Sequence, residues 1–387
     1  MPISVVVGGD VVINGPLHRP VDINPVYQQL RTADTNFVNL EMPFAVPSSE
    51  KNDKNDKKDT YAAEKLIALH AKPEHAPVLC DIGLDVVTVA NNHGMDYGVG
   101  GLRTTLRALN SVGIAHVGGG ETRDAAFAPV VRNKMAFLGV TTTLPNGSGA
   151  SPTRPGLAGV RVFTKYVVDT VSLDESPGMA PFVETETYAA DEAVLLRAIR
   201  EARALPNVAV VVVGIHWGVP YGWVPATQDE IAAYQRPLAR AMINAGASVI
   251  VGHHPHVVQG VEFYRGAPIF YSLGNFVFSN DIVTPDETFR TYPPYEWASL
   301  RKTLSNIGSL ARLVWDENTG TDGKETKLVS CSMVPVTIEA DGEPVYATPE
   351  DAEVLVARVR SMSQAYGTAV ELVQVDGHYE IRVTETE

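Results

Sequence analysis

The chain is poor in cysteine, in positive charge and in long apolar runs, and each shortage narrows what it can be. Only Cys80 and Cys331 occur in 387 residues, too few for a disulfide framework and in keeping with a reducing compartment. Each is expected to pack as a small buried hydrophobe rather than act as a nucleophile or ligand. Lysine and arginine together number 31 against 45 aspartates and glutamates, a formal net charge of -14. A phosphate backbone would be repelled overall and no basic stripe offsets this, so nucleic acid is not an expected partner. No apolar run approaches a membrane span, and the first strand begins almost at Met1 without a charged n-region, an apolar h-region or a cleavage site. The expectation is a cytoplasmic protein that does not engage a membrane. No Pro/Ser-rich linker divides the chain, which predicts one catalytic domain over residues 1–327, completed by a β/α extension over 328–387.

What is present is a series of short apolar runs: ISVVVGGD, NFVNLE, DVVTVANNH, VAVVVVGIHWG, SVIVGHHPH and PIFYSLGNFVF. Nearly continuous Val, Ile and Leu over so few residues suits strands buried on both faces. Helical patterns lie between them, as in Leu102, Leu106 and Leu109 before Gly113, and in Leu195, Ile199 and Ala202. Thr227 with Glu230 reads as a capping box opening a further helix that Pro237 should kink or interrupt. The alternation predicts a layered α/β fold with long insertions. The segment SSEKNDKNDKKDTYAAE is expected to be a solvated loop. Residues 145–187 are rich in Gly, Ser and Pro. Residues 280–305 hold Tyr292, Pro293, Pro294, Tyr295 and Trp297, and form either a lid or ordinary surface packing. Beyond Lys327 the chain reads as two strands around a turn, a helix opened by Thr348 and Pro349, and a hairpin on Asp376-Gly377. This tail is expected to supply no chemistry.

Asp10, Asn92, His93, His216, His254 and His256 each follow one of the apolar runs. In a chain that alternates strands and helices they converge at one sheet edge, where open α/β sheets build their sites. Carboxylate, amide oxygen and imidazole are ligand types for a divalent metal. In an extended HPH segment, His254 and His256 face the same side. Of the ten histidines, His93, His216, His253, His254 and His256 cluster at three strand ends, and burying so many polar rings without a role is costly. His253 has the weakest claim of the five, with packing alone as its alternative; His18, His70, His75, His116 and His378 read as ordinary core or surface groups. Asp96 follows His93 by three residues, so a helical turn there would pair them as a general acid/base. The reading is a metal-assisted enzyme. Oxygen-rich coordination favours calcium, magnesium or manganese, and direct imidazole ligation favours zinc, manganese or iron.

FVNLEMPF, ANNHGMDYG, HWG, GHHPHVVQG and YSLGNFVF, in that order between Val5 and Phe278, resemble the CapA-like family, named for poly-γ-glutamate capsule biosynthesis and similar to calcineurin-like metallophosphoesterases. The resemblance implies a calcineurin-like four-layer α/β/β/α sandwich. It places Asp10, Glu41, Asn92, His216, His254 and His256 at the metal site and His93 at the position of a catalytic histidine.

The chain also departs from that pattern. Two-metal phosphoesterases carry Asp-x-His on the first strand, whereas Asp10 is followed by Val11 and Val12. Asn39-Leu40-Glu41 replaces an Asp-containing turn, and Val219-Pro220-Tyr221 stands where relatives often place a glutamate after HWG. In-line phosphoryl displacement needs both ions close together, so phosphatase activity is not the expectation. Some CapA-like proteins resemble this chain and invert the C-terminal residue of a lasso-type precursor peptide. The specific expectation is therefore epimerisation of such a peptide by a metal-dependent isomerase. His93 with Asp96 would form one acid/base pair and Asp10 with His254 or His256 the second. A poly-γ-glutamate biosynthesis or hydrolysis protein, a metallophosphoesterase and a non-catalytic binding protein are the alternatives.

Overall fold

The apolar runs form the strands of two facing sheets in the computed structural model, which describes residues 2–19, 21–47, 62–218, 230–286, 288–289, 306–317 and 326–386. The larger sheet runs from one edge to the other through Thr368–Val375, His378–Glu385, Lys327–Ile338, Ile307–Asp316, Ile3–Val12, Thr35–Leu40, Val86–Thr88 and Ala115–Val117. Its last four strands are parallel, and Asn275–Phe278 pairs in parallel with the far end of Ile3–Val12. The smaller sheet places Val210–His216 between Met135–Thr141 and Val249–His253, all parallel.

Three apolar clusters separate four layers, which is the expected α/β/β/α sandwich. Val5, Phe37, Val86, Phe137, Val212 and Val251 meet between the sheets. Their neighbours Val38 and Val87 turn outward onto the helices Pro77–Ile82 and Gly98–Ser111. Val211, Val213 and Ile250 turn outward onto Ala189–Ala204 and Gln235–Asn244. Because side chains alternate along a strand, a strand covered on both faces must be apolar at every position. That is why Val210 to Val213 read as an unbroken run. The chain beyond Lys327 extends the larger sheet, and the helix Pro349–Ser363, capped by Thr348 through the Asp351 N–H, sends Leu355, Val356 and Val359 into the core between the sheets. Asp376 (φ 47°) and Gly377 (φ 87°) make the tight hairpin turn the sequence predicts.

Several local expectations need correction. Cys331 is buried, but Cys80 is exposed. The helix expected from Thr227 opens only at Gln235, so Pro237 falls in its first turn, where no interior hydrogen bond is lost and no break results. Thr227 itself lies outside the described residues, as do 48–61 of the charge-rich insertion and 290–305 of the aromatic one. Within 145–187 the chain forms a hairpin, Val162–Val167 against Phe182–Thr187, enclosing a short helix that Asp169 caps. Among the described residues no helix is long and apolar enough to cross a membrane.

The approach to Asp10 is tight. A methyl group on Gly9 would overlap the carbonyl oxygen of Gly274, which also accepts the Asp10 N–H at 3.0 Å. Gly9→Ala is therefore expected to force apart Ile3–Val12 and the Gly274–Asn275 turn, at a cost of ~1–3 kcal/mol or more. Urea unfolding measures this; a midpoint equal to that of the wild type would mean the crossing relaxes freely.

Candidate metal centre and acid–base pair

Parallel strands end on the same side, and here their carboxyl ends collect the polar residues of both sheets. From the larger sheet come Asp10 beside Asn275, Glu41 just after Thr35–Leu40, and Asn91, Asn92 and His93 just after Val86–Thr88. From the smaller sheet come His216 and His253, the last residues of their strands and register partners, followed by His254 and His256. The HPH segment is not extended: His254 has φ 103° and His256 φ 56°. Left-handed backbone is uncommon outside glycine and costs of order 1–3 kcal/mol per residue. The two rings therefore converge through a strained turn, with centroids 6.3 Å apart, and not by strand alternation.

His216 Nε2 lies 2.8 Å from Asn92 Oδ1, 3.0 Å from His254 Nδ1 and 3.4 Å from Glu41 Oε1. On the other side of Glu41, its Oε1 lies 3.6 Å from His256 Nε2, and Asp10 Oδ2 lies 3.4 Å from His256 Nδ1. Ligand atoms of Glu41, His216 and His254 fall within 4.8 Å of one another, and so do those of Asp10, Glu41 and His256. Glu41 belongs to both sets. Its carboxylate is buried, and neither oxygen has a hydrogen-bond partner among the described residues. Such a group is costly unless something positive meets it.

The electrostatics agree. Burial, and then the charge of Asp10, pushes the Glu41 carboxyl well above its ordinary value. Burial also raises Asp10, but the neighbouring His253, His256 and Asn39 outweigh it and leave that carboxyl lowered. Burial, and then the other imidazoles, drives His216 well below the usual histidine range and His254 down to about 3. His216 and His254 are thus held neutral, the state a divalent cation requires of imidazole ligands, and the raised Glu41 carboxyl is one whose proton a bound cation would displace. The residues fit a divalent ion.

His93 stands next to this set. Its Nδ1 is 2.6 Å from Asp96 Oδ2, and burial lowers its basicity despite the opposing charge of Asp96. The pair meets across a turn closed by the Asp96 N–H on the His93 carbonyl, since the helix begins only at Gly98. The second expected pair changes more. The His254 ring faces His216, and only its backbone N–H approaches Asp10, at 3.4 Å. The imidazoles nearest Asp10 are His253 at 3.2 Å and His256 at 3.4 Å.

All eight residues expected at the site, Asp10, Glu41, Asn92, His93, Asp96, His216, His254 and His256, are thus brought together. Sequence reasoning missed four others, Asn39, Asn91, Asn275 and Lys65, and ranked His253 too low. Asn39 donates to Asp10 Oδ1 at 2.8 Å and lies 3.2 Å from His216 Nδ1. Asn91 donates to Asn39 Oδ1 at 3.0 Å and accepts the His93 N–H. Asn275 lies 2.8 Å from His256 Nδ1. The asparagines in FVNLE, ANNH and LGNF stand at the same strand ends as the ligands, a signal that could have found them. His253, the weakest of the five clustered histidines by sequence, is fully buried against Asp10. Lys65, whose Nζ is 2.5 Å from Asp96 Oδ1, carries no sequence signal.

The protein family described as "Bacterial capsule synthesis protein PGA_cap" matches residues 4–280, a span that includes every residue of the site. An uncharacterised protein of Sinorhizobium fredii is 29% identical over an alignment covering 95% of this chain and 90% of its own. The "PGA biosynthesis protein CapA" of Bacillus subtilis is 34% identical over 64% of this chain and 57% of its own. A "Probable polyglutamine synthesis accessory protein" of Mycobacterium tuberculosis is 25% identical over 92% of this chain and 81% of its own.

Proposed function

Since the chain belongs to the bacterial capsule synthesis protein family PGA_cap, we propose that it is a divalent-metal-dependent hydrolase acting on the amide bonds of a glutamate-rich chain. The names of the Bacillus and Mycobacterium relatives support the substrate class. The observation that carries the chemistry is Glu41, a buried carboxylate common to two donor sets, which two imidazoles approach at 3.4 and 3.6 Å without hydrogen-bonding it.

Asp10, Glu41, Asn92, His216, His254 and His256 would hold the metal. A divalent ion bound there supplies Lewis acidity toward a carbonyl oxygen. Three oxygen and three imidazole donors suit manganese, zinc or iron better than calcium or magnesium, which prefer oxygen alone. His93 acts as the general acid/base: Asp96 accepts the hydrogen bond from Nδ1–H, which leaves Nε2 free to take a proton from the attacking water and pass it to the departing amine. The substrate in this reading is a peptide or polymer backbone.

The test is incubation of chelator-treated protein with poly-γ-glutamate of defined length, with Mn²⁺ or Zn²⁺ restored. The expected result is metal-dependent shortening with one new amine per cut. Unchanged length with either ion would overturn the hydrolytic reading.

A second reading rests on the two carboxylate–imidazole pairs, His93–Asp96 and Asp10–His256, which suit removal and return of a proton at one Cα. Peptide epimerisation would show in deuterated water as deuterium at a single Cα, with a D-residue and an unchanged chain length. Hydrolysis would leave every Cα hydrogen in place.

A further inference from the structure

Lys65 lies outside every motif that carries the family resemblance, yet its ammonium ends inside the site. Nζ is 2.5 Å from Asp96 Oδ1, 2.8 Å from the Asn92 carbonyl oxygen and 3.2 Å from His93 Nδ1. These neighbours serve different ends of the cluster. Asp96 orients His93, whereas Asn92 sends its side-chain oxygen to within 2.8 Å of His216 Nε2. One cation therefore touches both the acid–base pair and the residue that joins the ligand set.

Asp96 also anchors the segment that carries Lys65. Its Oδ2 accepts the Leu69 N–H at 2.7 Å, and its backbone carbonyl accepts the Ala63 N–H at 2.6 Å. The carboxylate is 1% exposed, and a buried carboxylate stripped of its cation is strongly destabilised. The Lys65 side chain, 24% exposed, is the ammonium that meets it.

We propose that Lys65 is a positioning residue that couples the metal centre to the acid–base pair. By holding the Asn92 carbonyl and the Asp96 carboxylate on one ammonium, it aims Asn92 Oδ1 into the ligand set and fixes His93 against Asp96, so that ion and general acid/base are ordered as one unit. The proposal rests on the reading of this cluster as a metal centre. Such coupling is reciprocal: if Lys65 tightens the hold on an ion, the ion must steady the segment that carries Lys65.

The probe is Mn²⁺ alone, titrated into the whole protein by calorimetry, with no substrate present. Lys65→Met is expected to weaken Mn²⁺ binding on the order of 10-fold or more, the size seen when a residue that orients a ligand is lost. Lys65→Cys should be equally weak. Alkylated with bromoethylamine, in a Cys80→Ala background because Cys80 is an exposed thiol, it regains an ammonium at nearly the lysine position and should return to within about 3-fold of wild type. Wild-type affinity in Lys65→Met overturns the proposal, and so does an aminoethylated protein that stays as weak as its parent. A measurement on the unmodified protein stands if the variants do not fold: Mn²⁺ should slow hydrogen exchange at the Leu69 amide, and unchanged exchange with Mn²⁺ bound overturns the coupling. Failure of the wild type to bind Mn²⁺ at all would instead refute the metal centre itself, so the two failures are distinct.

Discussion

Glutamine in place of Glu41 is expected to stabilise the metal-free protein and to abolish its response to metal. In the wild type, Mn²⁺ at about 100 times its dissociation constant should stabilise the fold by ~2.7 kcal/mol, because it binds only the folded chain. In Glu41→Gln that increment should vanish, since both donor sets lose the residue they share. The metal-free variant should nevertheless melt higher, because a neutral amide replaces a carboxylate held beside Asp10 without a hydrogen-bond partner among the described residues.

The pH dependence gives the sign. Glu41 has a folded pKa above its ordinary value of 4.5, so its contribution is complete below that pH and is lost as pH rises through the raised value. His216 and His254 are depressed from 6.5, so their contribution is complete above 6.5 and is lost as pH falls. From pH 4.5 up to its raised folded value Glu41 lowers stability, with a slope of at most ~1.4 kcal/mol per pH unit. The gap between variant and wild type should widen as pH rises above 4.5 in chelator and close when Mn²⁺ is added. Thermal melts across that range decide it; a metal-free variant less stable than wild type, or one still stabilised by Mn²⁺, would remove Glu41 from the centre of the site.

His93→Gln should behave in the opposite way. His93 stands outside the ligand set, so Mn²⁺ affinity should stay within about 3-fold of wild type, whereas turnover should fall ~10²–10⁴-fold with loss of the proton-transfer group. Glutamine keeps a polar end near Asp96 and Lys65, which preserves their packing while removing the titratable nitrogen. Paired measurements of kcat and Mn²⁺ affinity on one preparation separate the two roles. Turnover within a few-fold of wild type would show that another residue moves the proton.

The sequence exposed some of this arrangement and hid the rest for identifiable reasons. Val212 and Val213 belong to different cores, so a strand covered on both faces shows itself as an unbroken apolar run. Chemistry placed at the end of such a run is legible for the same reason: Glu41, His93 and His216 stand where a largely apolar run stops. The HPH geometry was not legible, because no residue type near His254 announces a positive φ. His253 looked like the last core position of its strand, which it is in burial, but its neighbour across the sheets is a carboxylate. Lys65 meets partners 27 to 31 residues away through a loop with no periodicity, and sequence spacing carries no trace of such a contact.

Asp10, Glu41 and Asn92 hang from one sheet and His216, His254 and His256 from the other. Neither sheet owns a complete set of ligands: one presents mainly oxygen, the other only imidazole. The mixed character of the donor set is therefore a property of the seam between the layers. The smallest heritable unit of this chemistry is the pair of sheets, and a recombination event that moved either sheet alone would carry away half a coordination sphere and none of the reaction.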